Sequence, residues 1–295
     1  MAKILSGEDV SKAMRREMVA DVARLKTEHN LTPGLAVVLV GDDPASATYV
    51  RSKQAACKAL GIHSVKRKFD ADLPEADLLK VVRELNGDPT IHGILVQLPL
   101  PDQIDEGRAL NALSPAKDVD GLHPVNLGKL QRGETGFLPC TPHGVQQLLL
   151  RSGIEISGKH VVIVGRSTLV SKPLAGILLQ KRPDANATVT VCHTGTRDIA
   201  SFTRQADILV VAAGRPGTIT ADMVSEGAVV VDVGINSIPA PSRKRGYRLI
   251  GDVDFDAVSE KAGAITPVPG GVGPMTITLL LYNTIWSAKQ THGIS

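Results

Sequence analysis

HVVIVGRSTLVSKP (160–173) reads as a buried strand, 160–164, that turns sharply at Gly165 and opens into a helix from Lys172. A glycine in such a turn lets backbone approach a diphosphate, while the helix N-terminus supplies amide donors and a favourable dipole. The spacing is not that of G-x-G-x-x-G, because Ser167 and Val170 stand at the second and third glycine positions, and the turn by itself is equally a structural one. The next strand, 188–192, runs into His193-Thr194-Gly195-Thr196-Arg197 without an acidic residue. NAD sites place a carboxylate there for the ribose hydroxyls, whereas NADP needs cationic or hydroxyl donors. With Arg166 in the turn, the pattern favours NADP. Strands at 207–212 and 228–233, with helical segments at 172–180 and near 199–206, complete a Rossmann-like parallel sheet.

Upstream the same alternation recurs. Val10, Met14, Met18, Val22 and Leu25 fall at helical spacing, and the continuous apolar run 35–40 reads as a strand buried on both faces. A helix over 47–60 ends at Gly61; another, 75–85, precedes the apolar strand 91–98, which stops at Pro99. Residues 99–142 are rich in Pro, Gly, Asp and Asn and show little periodicity, as a connection between domains would. Thr141-Pro142 reads as an N-cap and first helical residue, opening a helix to Leu150. After the Pro/Gly loop at 266–273, an apolar helix from about Pro274 needs a surface to cover and is expected to return to the first domain. The expected organisation is α/β with two domains: residues 1–140, completed by helix 274–290, and a Rossmann-like domain, 141–273.

The composition points to a small-molecule partner. The chain has 295 residues, 43% apolar and 21% charged, with a net charge of +3, which gives no reason to expect nucleic acid or a membrane surface. Aromatic residues are scarce, four Phe, three Tyr and one Trp, so stacking on bases is poorly supplied. Cys57, Cys140 and Cys192 are far apart and odd in number, which suits a reducing compartment and neither a disulfide framework nor a zinc site. No apolar run approaches the roughly 20 residues that span a bilayer, and the expectation is a cytoplasmic protein.

Tyr49 and Lys53 lie four apart on one helix, hence on one face. A tyrosine hydroxyl beside a lysine can share a proton, and burial lowers a lysine's pKa toward a useful value; most such pairs, though, simply face solvent. Gln97 sits near the end of strand 91–98, where open α/β sheets place ligand groups, and its amide would find a partner in Lys53. Asp118 and Asp120 occupy the loop KDVDG (117–121). No histidine pair at ligand spacing and no carboxylate cluster is found, so no metal is expected. Arg243-Lys244-Arg245 reads as a solvated hairpin tip.

Seven segments in order, GDDPASATYVRSK (41–53), GILVQLPLP (93–101), PAKDVDGLHPVNLGKL (115–130), PCTPHG (139–144), VVIVGRSTLVSKP (161–173), VVDVGIN (230–236) and TPVPGGVGPMT (266–276), resemble the bifunctional methylenetetrahydrofolate dehydrogenase/methenyltetrahydrofolate cyclohydrolase (FolD) family over almost the whole chain. The resemblance implies Lys53 as central catalytic residue, Tyr49 against the folate, Gln97 tuning the lysine, and Asp120 anchoring the pterin. It places Gly165, Arg166 and Ser167 at the phosphates of NADP, Thr194 near the ribose phosphate and Ile235 at the nicotinamide end. Pro269, Gly270 and Gly271 would border the substrate, in a cleft where folate and cofactor meet. It further implies a homodimer formed through the cofactor domain, acting on tetrahydrofolate one-carbon derivatives. Ser171 departs from the family's later glycine, which implies weaker or altered cofactor affinity. A dehydrogenase-only member, a non-catalytic NADP sensor and a shikimate-type dehydrogenase are the rival readings; the last would lack the KDVDG and PGGVGPMT segments.

Overall fold

A computed structural model describes residues 1–241 and 246–294. Its first half runs β1 (Lys3–Ile4), α1 (Gly7–His29), β2 (Gly34–Val40), α2 (Pro44–Leu60), β3 (His63–Phe69), α3 (Glu75–Gly87), β4 (Gly93–Val96), α4 (Glu106–Asn111) and α5 (Pro124–Arg132). There follow α6 (Cys140–Arg151), β5 (His160–Val164), α7 (Ser171–Leu178), β6 (Thr188–Cys192), α8 (Ile199–Thr203), β7 (Ile208–Val211) and β8 (Val229–Asp232). The chain ends with β9 (Asn236–Pro239), β10 (Tyr247–Ile250), α9 (Phe255–Lys261), β11 (Ala264–Ile265) and α10 (Val272–Thr291). It divides into two units, residues 13–140 with 277–295, and residues 1–12 with 141–276. They are called here the Lys53 unit and the Gly165 unit.

The Lys53 unit is built on a three-stranded parallel sheet of order β3-β2-β4. Every residue of β2 is buried, which is why its sequence is apolar without alternation. On one face Ala36, Val38 and Val40 pack with Leu78, Val82 and Leu85 of α3. The start of α2 is fixed by the Asp43 carboxylate, which accepts from the Ser46 amide at 2.6 Å, and its end by Gly61 in the left-handed region at φ 76°. At one edge lies β3, whose Lys66, Arg67 and Lys68 are exposed. At the other, β4 is closed by a bridge from Ile94 to Asp118.

One expectation for this unit is corrected. Residues 99–142 are not a plain connection, since they form α4 and α5. These helices are too short to show periodicity and are set by local caps: Asp105 accepts from the Arg108 amide, and His123 Nδ1 accepts from the Val125 amide. The helix expected from Thr141 already begins at Cys140. The later part of α10 does pack in this unit, with Asn283 Nδ2 donating to the Val119 carbonyl at 2.8 Å and Ser287 Oγ to the His92 carbonyl at 2.6 Å.

The Gly165 unit holds a six-stranded sheet of order β1-β11-β8-β7-β5-β6, parallel throughout. Residues 1–12 group with this unit through β1. Lys3 and Ile4 pair with Ala264 and Ile265, so the N-terminus adds an edge strand that sequence periodicity is too short to reveal. The core joins Val162 and Val164 with Leu209, Val211, Val230 and Ile265. β9 and β10 form an antiparallel hairpin; Arg243-Lys244-Arg245, expected at its tip, lies outside the described residues. Among the described residues no helix is long and apolar enough to cross a membrane.

Candidate active site

In the Lys53 unit, α2 carries Tyr49 and Lys53 one turn apart on a single face. Lys53 is only 8% exposed, and its ammonium donates to Gln97 Oε1 at 2.9 Å. Gln97 follows β4, where its own amide nitrogen donates to the Leu98 carbonyl at 2.7 Å. Burial lowers the lysine's pKa, while the charges of Asp120 and Cys140 act to raise it. The Asp120 carboxyl is pushed up, chiefly by burial, with Lys53 pulling the other way. Both groups are thus drawn toward their neutral forms, the condition in which a lysine can take up as well as release a proton.

The loop around Asp120 is held from several sides. Gly121 lies at φ 74° with the backbone of Leu138 and Pro139 so close that a Cβ would meet it at 2.6–2.8 Å. Cys140 donates its amide to the Asp120 carbonyl and its thiol to the Val119 carbonyl. Burial raises the Cys140 thiol well above its ordinary pKa, and the adjacent Asp120 charge adds to the effect, so it serves as a neutral neighbour of the carboxylate. The sequence showed Cys140 only as a lone cysteine; its place against Asp120 depends on a fold contact 20 residues along the chain. Asp118, singled out beside Asp120, is fully buried and accepts from the Leu122 and His123 amides and from Asn126. Those bonds use it as a loop anchor.

The Gly165 unit brings together the four residues expected at the cofactor's phosphates. Gly165 has φ 137°, and a Cβ there would lie 2.3 Å from the Ala212 carbonyl, so only glycine fits. Arg166, Ser167 and Thr168 are exposed along the turn. Arg166 Nη2 reaches Thr194 Oγ1 at 3.4 Å, across from the end of β5 to the loop after β6. Ser167 Oγ accepts from the Val170 amide at 3.1 Å, ordering the start of α7. The loop after β6 is shaped by His193, whose amide donates to Thr196 Oγ1, and no carboxylate stands in 193–197. Exposed donors, a glycine approach and the missing acid fit NADP.

Ser171, the residue that departs from the expected glycine, lies against the turn itself. It has no exposed surface, and its Oγ lies 2.7 Å from where a Gly165 Cβ would stand. The hydroxyl is tucked under the turn and meets no hydrogen-bond partner among the described residues.

Ile235 is 46% exposed in the loop after β8. Pro269, Gly270 and Gly271, expected at the substrate, belong to this unit too. The Gly270 carbonyl accepts from the Glu8 amide at 3.1 Å, and Gly7 comes so near the Gly271 carbonyl that any Cβ would collide. No group of three His, Cys, Asp or Glu able to hold a metal ion occurs among the described residues.

Two family models match the chain: the catalytic domain of tetrahydrofolate dehydrogenase/cyclohydrolase over residues 5–120, and its NAD(P)-binding domain over residues 139–292. A Dehalococcoides mccartyi relative called bifunctional protein FolD is 59% identical, with 99% of each chain covered. The Campylobacter jejuni bifunctional FolD structure is similar at TM-score 0.92 and 47% identity, covering 99% of this chain and 100% of that one. The Trypanosoma brucei FolD structure, complexed with NADP cofactor and inhibitor, is similar at TM-score 0.93 and 41% identity, with 99% and 98% covered.

Proposed function

We propose, because the chain belongs to the tetrahydrofolate dehydrogenase/cyclohydrolase family, that it oxidises 5,10-methylenetetrahydrofolate with NADP and hydrolyses the methenyl product to 10-formyltetrahydrofolate. The observation that carries the reading is the buried Lys53 ammonium on Gln97 Oε1 beside Asp120. That apparatus suits proton movement during hydrolysis and is not needed by a simple cofactor sensor.

In this reading Asp120 accepts from the N–H edge of the pterin, and the Tyr49 ring lies against the folate. Bound NADP would supply the acceptor for the hydride of the one-carbon bridge. Gly165, Arg166, Ser167 and Thr194 would hold its phosphates, with Ile235 at the nicotinamide end. Pro269, Gly270 and Gly271 border the substrate. Hydrolysis begins with water adding to the cationic methenyl carbon, after which one carbon–nitrogen bond opens to leave the formyl group. Lys53 takes one proton from that water and returns it to the departing nitrogen, while the water's second proton is released to solvent as the formyl C=O forms, with Tyr49 alongside and Gln97 fixing Nζ.

The family resemblance also supports a cytoplasmic enzyme of one-carbon metabolism, serving purine biosynthesis, that forms a homodimer through the Gly165 unit. Sedimentation of the purified protein measures the last point. The principal experiment supplies methylenetetrahydrofolate with NADP and then NAD, following reduced cofactor and methenyl absorbance together. Reduction of NADP with turnover of the methenyl compound is expected. Accumulation of methenyl product at its spontaneous hydrolysis rate would identify a dehydrogenase-only enzyme, and no reduction with either cofactor would overturn the reading.

A further inference from the structure

Two carboxylates with no part in the chemistry above are buried at the ends of β7, β8 and β10. Asp232, the last residue of β8, is 3% exposed; Asp252, just after β10, is 0% exposed. Asp232 accepts from three backbone amides, Gly234 at 2.9 Å, Asp252 at 3.0 Å and Val253 at 2.9 Å. Asp252 Oδ2 accepts from the Ala213 and Gly214 amides, both at 2.7 Å, and its Oδ1 accepts from Asn236 Nδ2 at 2.8 Å. Burial pushes the Asp232 carboxyl up to about 6, and its three amide donors pull it back toward the ionised form.

The chain has been shaped around these groups. A Cβ at Gly251 would stand 1.8 Å from Asp232 Oδ2, and one at Gly234 would stand 2.3 Å from the Asp252 carboxyl carbon. The bonds also join the backbone that packs on the Gly165 turn to the segment that carries Ile235, the residue expected at the nicotinamide end. Ala213 and Gly214 follow Ala212, whose carbonyl packs on Gly165 at the diphosphate turn. Gly234 and Asn236 flank Ile235, so the exposed isoleucine stands between one residue tied to Asp232 and one tied to Asp252. A carboxylate suits this role because both its oxygens accept, whereas a carboxamide at 252 would turn a donor toward one of its donors.

We propose that Asp252 is a positioning residue for the dinucleotide, coupling the backbone that packs on the Gly165 turn to the loop that presents Ile235. The proposal rests on the reading of the Gly165 unit as an NADP site.

The test uses Asn236→Ala, which removes one leg at a partly exposed residue, and Asp252→Asn, which disturbs the centre. In cofactor-free protein, amide exchange at 234–236 should quicken in both variants, and at 213–214 in Asp252→Asn. The NADPH dissociation constant and the dehydrogenase KM for NADP should rise about fivefold in Asn236→Ala, which loses the bonds to Asp252 Oδ1 and to the Gly251 carbonyl, and further in Asp252→Asn. Hydrolysis of methenyltetrahydrofolate supplied directly should stay within about twofold of wild type. Should Asp252→Asn fail to fold, Asn236→Ala decides alone. Unchanged NADPH affinity and exchange in Asn236→Ala would overturn the proposal, as would an equal fall in both activities. If the wild type binds NADPH but turns over no folate, the functional reading fails while the affinity comparison still judges Asp252. A wild type that does not bind NADPH would remove both.

Discussion

Gln97 turns its carbonyl oxygen toward Lys53 because its amide nitrogen is already held by the Leu98 carbonyl, leaving Oε1 2.9 Å from Nζ. The orientation of one side-chain amide therefore decides that the lysine meets an acceptor. Exchanging that amide for a carboxylate isolates its electrostatic part. In Gln97→Glu the added negative charge favours the ammonium form and raises the Lys53 pKa that burial has lowered. If neutral Lys53 is the working form, the rising limb of the cyclohydrolase pH profile moves to higher pH, by about one unit. A profile superimposable on wild type would show that Gln97 does not tune the lysine.

Lys53→Met keeps most of the side chain's length and apolar volume and deletes the amine. Cyclohydrolase turnover should fall to background, with NADPH affinity unchanged, since every residue expected to hold the cofactor's phosphates lies in the other unit. Full turnover in this variant would exclude Lys53 as the proton carrier.

Ser171 buries a hydroxyl without a partner among the described residues, a defect worth about 1–3 kcal/mol. Ser171→Ala should raise the melting temperature while leaving the NADPH dissociation constant within about twofold. Ser171→Gly removes the side chain altogether, and here too the affinity should hold. A marked tightening of NADPH in the glycine variant would mean that the side chain does limit approach to the turn.

His92 contributes to the pH dependence of stability in the Lys53 unit. Its Nδ1 accepts from the Gly34 amide at 3.0 Å, so the neutral ring carries its proton on Nε2. Burial, helped by His292 and Lys117, lowers its pKa from 6.5 to about 4. The unfolded chain then binds the proton more readily than the folded one. The stability involved is full above pH 6.5, is lost as pH falls toward 4, and is on the order of 3 kcal/mol. Asn in its place can still accept from Gly34 but does not titrate. Differential scanning calorimetry of His92→Asn should show a shallower fall in melting temperature between pH 6.5 and 4 than wild type, and parallel curves would refute the assignment.

Much of this was legible in the chain. The buried strands 35–40 and 160–164 announce themselves because both faces are covered, and Gly61 and Gly165 mark backbone that other residues cannot adopt. What stayed hidden was non-local or too short. β1 is two residues long and gains its meaning only from β11, 261 positions away. HSVKRKF (63–69) has too many cations to read as a strand, since nothing in the sequence says that it pairs on one side only. At the site, Lys53 and Gln97 could be matched by residue type, whereas the contacts of Cys140 with Asp120 and of Asp252 with Asn236 depend on how separate loops return to one strand end.

The placement of β3 carries a further consequence for the solution behaviour of the Lys53 unit. A parallel sheet that stops after three strands offers open backbone amides and carbonyls to any extended chain that drifts alongside. On β3 such a visitor meets exposed Lys66, Arg67 and Lys68, the last paired with Asp42 at 2.5 Å, and must strip water from these charges before forming its first ladder bond. On the far side, the Asp118 bridge already takes the place of the next strand. The cations that make this segment look unlike a strand are thus its protection against edge-to-edge aggregation.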